Sequence, residues 1–363
     1  MTTSSNRTFL ETLLRYQHVF VFTAPLAFVA LVFLYAPTGG AGGVAYWTDF
    51  WWLFPAFLLG ATIVNTVGIS GSAMFVPFLI FIFPLFASPL EPETIVKIGL
   101  ISESFGLSSS SLAFIQYNLV DRRLALTLLG GAVPFVVAGA VLSFFIPETV
   151  FHALLGVALL ASSVLLFKAD LGHEEPGSDS SPDDGVVAEA DGGRDLPNDR
   201  GKLGPAGVEV DGEGVVTRVD RDGNDYTYDR SGYLERFANY SIGGTFQGLA
   251  GFGVGELGII SMLRSKIPVR VAIGTNHIVV ALTAVLASLV HVFGGSLVPG
   301  AHNIDIASTP WNMVVWTVPA TVTGGQIAPY VAAALDTETI KAGVGALFAI
   351  IAVALFIMAA GLV

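Results

Sequence analysis

The sequence contains no cysteine. Disulfides, thiolate zinc sites and cysteine-bound iron–sulfur clusters are thereby excluded. Charge is scarce: Asp, Glu, Lys and Arg make up 13 % of the 363 residues, against about 25 % in an ordinary soluble domain. Lysine is rarest, with five copies beside twelve arginines. No basic surface of the kind nucleic acid needs can be assembled, so nucleic acid is excluded as a partner. There is no Walker A motif. The stretch Gly253-Val-Gly-Glu-Leu-Gly258 fits G-x-G-x-x-G literally, but no strand precedes it, which excludes a dinucleotide site. No His/Asp/Glu spacing suits a metal, and no cofactor is expected. What abounds is apolar: 53 % of residues, with a mean hydropathy of +0.70. The expected class is an all-α polytopic membrane protein whose first partner is the lipid bilayer.

The net charge of −12 is unevenly spread. Residues 168–235 hold 18 of the 29 acidic and 7 of the 17 basic residues, so the remainder is nearly neutral. Apolar stretches long enough to span occur at 18–36, 124–146, 149–167, 271–290, 311–335 and 342–363, with a more polar one at 94–117. Arg7–Tyr16 reads as a short amphipathic interfacial helix. Two segments resist simple spans. The stretch 50–86 is interrupted by Pro55, Gly68, Gly71, Pro77 and Pro84, and 236–263 carries seven glycines from Gly243 to Gly258. Both read as hairpins of broken helices, whose unwound backbone survives at membrane depth only where protein or a cavity covers it.

Basic residues set the orientation. Arg7 and Arg15 place the N-terminus in the cytoplasm, and Arg122 and Arg123 mark a cytoplasmic turn. The acidic loop is then cytoplasmic, and so are Arg264, Lys266 and Arg270. Of the 17 basic residues only Lys97 falls elsewhere, and the C-terminus ends outside. The expected organisation is a cytoplasmic tail (1–17), an extra membrane helix and external linker (18–49), a first membrane repeat (50–167), the acidic loop (168–235) and a second repeat (236–363). The plasma membrane is the expected location.

The halves resemble one another. Gly60-Ala-Thr62 aligns with Gly243-Gly-Thr245, and Gly68-Ile-Ser-Gly-Ser72 with Gly251-Phe-Gly-Val-Gly255. Val96–Glu103 then aligns with Val269–Asn276 after a ten-residue shift. Each unit is a hairpin plus three crossings, and that odd number makes the second unit upside-down. Inverted repeats with broken helices mark secondary transporters, with the site at the repeat interface. In the loop, 214–219 and 225–229 flank an Asp-Gly turn and read as a hairpin. The loop as a whole is read as a solvated acidic linker, disordered at its start.

An ionisable residue inside a span is a functional candidate. Glu103 lies among Ser102, Ser104 and a serine run. Its repeat mate is Asn276, flanked by Thr275 and His277. Glu256 sits in the second glycine cluster. Glu103, Glu256 and His277 are the candidate proton carriers. Helix breaks offer free N–H groups and a positive dipole end to an anion. The candidate binding residues are therefore Asn65, Gly68, Ser70, Gly71, Ser72 and Ser102 in the first half, and Gln247, Gly251, Gly253, Gly255, Thr275 and Asn276 in the second. Asn65 and Gln247 also suit helix–helix contacts.

These residues carry a resemblance. Gly60–Pro77 and Gly243–Ser261, each a glycine-rich segment running into an apolar stretch, are followed by Gly99–Glu103 and by Ala272-Ile-Gly-Thr-Asn276. Together with the turn Leu119–Leu124 they resemble the TauE/SafE family of membrane permeases, the sulfite/organosulfonate exporters, over about 50–167 and 236–361. The resemblance implies transport of small sulfur-containing anions such as sulfite, thiosulfate or organosulfonates. The expected function is a secondary transporter, an exporter, of such an anion, with protons as the candidate coupling ion. Two alternatives stand beside it: a carrier of a cation or zwitterion bound by Glu103 and Glu256, and an intramembrane enzyme or accessory subunit. No nucleophile–base pair at helical spacing supports an enzyme. A homo-oligomer is compatible with the sequence and not specified by it.

Overall fold

In the computed structural model the described residues are 16–38, 43–168, 208–210, 215–220, 225–294, 306–334 and 337–360. The expected N-terminal amphipathic helix and the start of the acidic loop lie outside them. Four helices in this set are long and apolar enough to cross a membrane: Val44–Val67, Pro92–Gln116, Arg122–Ser143 and Val269–Phe293.

The described residues begin with α1 (Gln17–Tyr35), which packs on later helices of both halves, and the short α2 (Val44–Thr48). Helix α3 (Leu53–Val67) ends at Gly68, whose φ of +79° closes the helix in the left-handed conformation favoured by glycine. The chain reverses over 68–71 and resumes as α4 (Ser72–Pro77). A π turn at Phe78–Ile82 and a 3₁₀ turn at Phe83–Leu85 extend α4. Pro77 and Pro84 lack the N–H that a regular α ladder needs, and the path widens and then tightens around them. The two ends of this hairpin meet, with Trp52 stacked on Phe83 at 5.5 Å and near Phe86 at 5.4 Å. Then follow α5 (Pro92–Gln116), α6 (Arg122–Ser143) and α7 (Glu148–Lys168). Asp121 caps α6 by accepting from Leu124 N at 3.1 Å.

The second series has the same order. Helix α8 (Tyr233–Ala250) ends at Gly251 with φ +87°, and α9 (Val254–Arg264) follows Gly253. Its hairpin also closes on itself, through Arg264 and Glu235 at 3.3 Å. Then come α10 (Val269–Phe293), α11 (Trp311–Ala334) and α12 (Thr337–Ala359). Helices α5 and α10 are each 25 residues long. Counted from their first residues, Glu103 stands opposite Val280, one turn beyond the Asn276 of the sequence alignment and on the same face.

Packing between the series is reciprocal: α6 lies on α8, and α11 lies on α3. Glycine allows both contacts. A Cβ on Gly248 would lie 2.0 Å from Val136 O, and one on Gly324 2.9 Å from Leu58 O. Helices α5 and α10 run antiparallel, because Ser110 near the end of α5 meets His277 near the start of α10, while Ile101 clusters with Val292. Helices α7 and α12 pack chiefly on each other. Large apolar side chains such as Leu26, Leu59, Leu126 and Ile350 point outward, as a lipid-facing surface requires.

The acidic loop is more than a linker. Strands β1 (Val208–Val210), β2 (Val215–Val219) and β3 (Asp225–Asp229) form an antiparallel sheet in sequence order. Val216 faces Tyr228 and Arg218 faces Tyr226, and these four side chains make its buried face. That face docks on the α5–α6 turn, where Asn118 Nδ2 donates to Val219 O at 2.7 Å. The expected strands at 214–219 and 225–229 are present as β2 and β3, and the buried face of two tyrosines, a valine and an arginine holds them to the bundle.

Candidate functional site

The two helix breaks meet in the middle of the molecule. A Cβ on Gly255 would lie 2.3 Å from Ser70 N, and one on Gly251 3.3 Å from Ser72 Oγ. Only glycine permits this approach, which is why the clusters are glycine-rich. Asn276 ties the breaks together: its Nδ2 donates to Gly68 O at 2.7 Å and to Gly255 O at 2.8 Å. Tyr240 OH holds the other end of that amide by donating to Asn276 Oδ1 at 2.5 Å.

Both glutamates of the two halves reach this junction. Glu103 Oε2 accepts from Ser72 N, at the first turn of α4, at 2.9 Å. Glu256 Oε2 accepts from Gly253 N at 2.7 Å, and its Oε1 accepts from Ser70 N at 3.2 Å. A continuous chain joins the two carboxylates. Gln247 Nε2 donates to Glu103 Oε1 at 3.0 Å, and Ser70 Oγ donates to Gln247 Oε1 at 3.1 Å. Gly255 N donates to Ser70 Oγ at 3.3 Å. Glu103 and Glu256 are each 1 % exposed, so the junction is closed to both sides of the bundle. No basic side chain is bonded to either carboxylate among the described residues; backbone N–H groups and one amide hold them. A buried carboxylate survives there because the half-helix ends present donors and a positive dipole end.

The other expected residues divide. Gly68, Ser70, Gly71, Ser72, Gln247, Gly251, Gly253, Gly255 and Asn276 all lie at the junction. Asn65 lies one turn before Gly68; its Nδ2 donates to Ala61 O at 2.7 Å, and its Oδ1 is buried with no partner. Three residues turn elsewhere. Ser102 Oγ donates to Thr317 Oγ1 at 2.7 Å, facing α11. Thr275 Oγ1 accepts from Asp121 N at 2.9 Å, facing the α5–α6 turn. His277 Nδ1 pairs with Ser110 Oγ at 3.0 Å and its ring stands edge-on to Phe114, away from both carboxylates. Neighbours of a site residue on a helix point about 100° away from it. The serine run after Glu103 serves packing as well: Ser109 Oγ donates to Val322 O at 2.8 Å and Gln326 Nε2 returns a bond to Ser109 O at 2.8 Å.

Sequence reasoning missed Tyr240 and undervalued Gln247. A tyrosine hydroxyl facing the protein interior within an apolar helix needs a partner, which was the available signal for the first. Nothing local signalled that Gln247 bridges Ser70 and Glu103, because both partners are more than 140 residues away.

Residues 52–355 match the family model described as sulfite exporter TauE/SafE. The chain belongs to the TauE/SafE family. It is also similar to the probable membrane transporter protein YunE of Bacillus subtilis (strain 168), with 23 % identity over 288 residues, covering 78 % of this chain and 88 % of that protein. No solved structure matches the chain. Membership makes this TauE/SafE protein a multi-pass membrane transporter and not an enzyme.

Proposed function

We propose that the protein is a secondary transporter of small sulfur-containing oxyanions, such as sulfite, thiosulfate or organosulfonates, working as an exporter with protons as coupling ions. The observation that carries this reading is the seating of Glu103 and Glu256 on the N–H groups at the two helix breaks. A carboxylate oxygen and a sulfur oxyanion oxygen seek the same donors. Each glutamate therefore holds the place of a substrate oxygen in the closed state. Protonation of Glu103 removes its charge, weakens it as an acceptor and frees Ser72 N for the anion. Proton and anion then bind with positive linkage. A divalent anion carried with one proton keeps a charge of −1, which an inside-negative potential drives outward with about 2.3 kcal/mol per 100 mV. The same N–H donors weigh against a cation site, since they point positive charge at the carboxylate oxygens that a cation would bind.

In this reading the two helix series, 50–167 and 236–363, are inverted repeats. Reciprocal packing of α6 on α8 and α11 on α3, and the antiparallel α5–α10 pair, support that symmetry. Arg122, Arg123, Arg218, Arg230 and Arg270 gather at one end of the bundle with the sheet, and Lys97 lies at the other. The positive-inside rule puts the sheet and N-terminus in the cytoplasm and the C-terminus outside, in the plasma membrane.

The test is radiolabelled sulfite flux in proteoliposomes, with and without a pH gradient, for the wild type and Glu103→Gln. Saturable flux inhibited by thiosulfate, whose pH dependence disappears in the variant, is the expected result. Absence of flux for every sulfur anion in a folded protein would sink the substrate class, and unchanged pH dependence would sink the role of Glu103.

A further inference from the structure

Where the sheet meets the membrane helices, four arginines surround a cavity of about 190 Å³: Arg122 and Arg123 from the first turn of α6, Arg218 from β2, and Arg230 just after β3. Asp121 and Asn118 complete its polar lining. Asp121 is already committed. Its Oδ2 accepts from Arg230 Nε at 2.8 Å and from Tyr228 OH at 2.9 Å, and its Oδ1 accepts from Arg230 Nη2 at 3.2 Å. Arg122, Arg123 and Arg218 have no acidic partner among the described residues. Arg218 is 5 % exposed, its Nη1 donates to Asn118 O and Oδ1, and its Nε is buried with no partner.

A neighbouring cavity of about 410 Å³ shares Arg123 and Arg230 and adds Arg236. Arg236 is fully buried; its Nη2 donates to Arg230 O, while Nε and Nη1 lack partners. A buried guanidinium with idle N–H groups is costly in a folded protein unless a partner arrives.

We propose that this junction binds a tetrahedral oxyanion, sulfate or a phosphate group, bridged between the sheet (Arg218, Arg230) and the α6 turn (Arg122, Arg123). The guanidinium fork suits two oxygens of such an anion, and several forks on one anion favour an oxyanion over a halide. The site is separate from the helix-break junction and does not depend on the transport reading. One chemistry admits two sources: a free cytoplasmic anion, or the phosphate of an anionic lipid reaching the cavity beside Tyr233 and Thr127 at the bundle surface.

The experiment follows thermal unfolding of the full-length protein. In detergent, sodium sulfate is titrated at constant ionic strength against chloride. In parallel, nanodiscs of phosphatidylcholine are compared with nanodiscs containing phosphatidylglycerol. The variants are Arg122→Gln and Arg123→Gln, both at exposed positions. Saturable stabilisation by sulfate, with apparent affinity weakened at least tenfold in either variant, supports the site with a free anion as ligand. No sulfate effect, but stabilisation by phosphatidylglycerol that both variants lose, supports it with a lipid headgroup as ligand. Stabilisation by neither probe, or stabilisation equal in wild type and variants, overturns the proposal.

Discussion

Three bonds of the junction converge on Asn276. It caps the carbonyl that the end of α3 leaves open, Gly68 O, and adds a second bond to Gly255 O in the first turn of α9. Replacement by Ala leaves Gly68 O buried without that partner, at about 1–3 kcal/mol. Asn276→Ala is expected to lower the unfolding midpoint clearly, whereas Tyr240→Phe, which removes one hydrogen bond, costs about 1 kcal/mol. Differential scanning of both variants in one detergent gives the ranking, and a smaller effect for Asn276→Ala would refute its clamping role. The glutamates differ in kind. Gln at 103 or 256 keeps an acceptor oxygen for the N–H donors, so these variants are expected to fold and to lose proton dependence alone.

Among the helices, the α6–α8 contact is closest. Gly139 and Gly248 place backbone against backbone, with Cβ positions 2.1 Å from Thr245 O and 2.0 Å from Val136 O. Gly248→Ala must push the helices apart and is expected to abolish folding or monodispersity on size-exclusion chromatography. Gly130, in the same α6, has nothing within 4 Å of its Cβ position. Gly130→Ala is expected to be neutral or to stabilise by up to about 1 kcal/mol, through helix propensity alone. Equal effects at the two sites would mean that packing does not govern this helix pair.

The sheet is held to the bundle at Asp121. Burial would raise its carboxyl, but Arg230, Leu124 N–H and Tyr228 outweigh burial and hold Asp121 below the ordinary aspartate value of 3.8. Burial pushes the Tyr228 hydroxyl up to about 12, so it stays a donor at neutral pH. Because the folded Asp121 value is depressed, its contribution is fully present above 3.8 and fades as pH falls through the lower folded value. Hydrogen exchange over 215–219 and 225–229 is expected to stay slow at pH 5 and to become fast in Asp121→Ala at neutral pH. Fast exchange in the wild type at pH 5 would contradict this account. Thr275, next to Asn276, bonds the same turn, so docking of the sheet and the order of the helix breaks share a neighbour.

At the scale of the whole molecule, topology is open to direct test because the chain has no cysteine. Ser88, between the first hairpin and α5, and Ser231, beside the sheet, are both exposed. Single substitutions Ser88→Cys and Ser231→Cys are expected to react with an impermeant maleimide from opposite sides of the membrane, Ser88→Cys from outside. Labelling of both from one side would refute the proposed inverted arrangement, which puts the first hairpin and the sheet in opposite compartments.

Composition and order alone determined a good part of this protein. Scarce charge and long apolar runs dictate membrane helices, because only a segment that satisfies its own backbone can cross lipid. Gly68 and Gly251, each followed by more small residues, marked both places where helices end in mid-bundle, since a left-handed residue and a close backbone approach both call for glycine. Glu103 and Glu256 stood out because charge inside a span is expensive. Their company did not. Which face of α5 bears Glu103, that Gln247 and Ser70 wire it to Glu256, and that Ser102, Thr275 and His277 turn away depend on how helices far apart in sequence are rotated against one another. The same holds for Arg218, which reads as one charge in an acidic loop and lies buried against a turn 100 residues earlier. Side-chain identity sets what a residue can bond, and only the packing of distant segments decides what it meets.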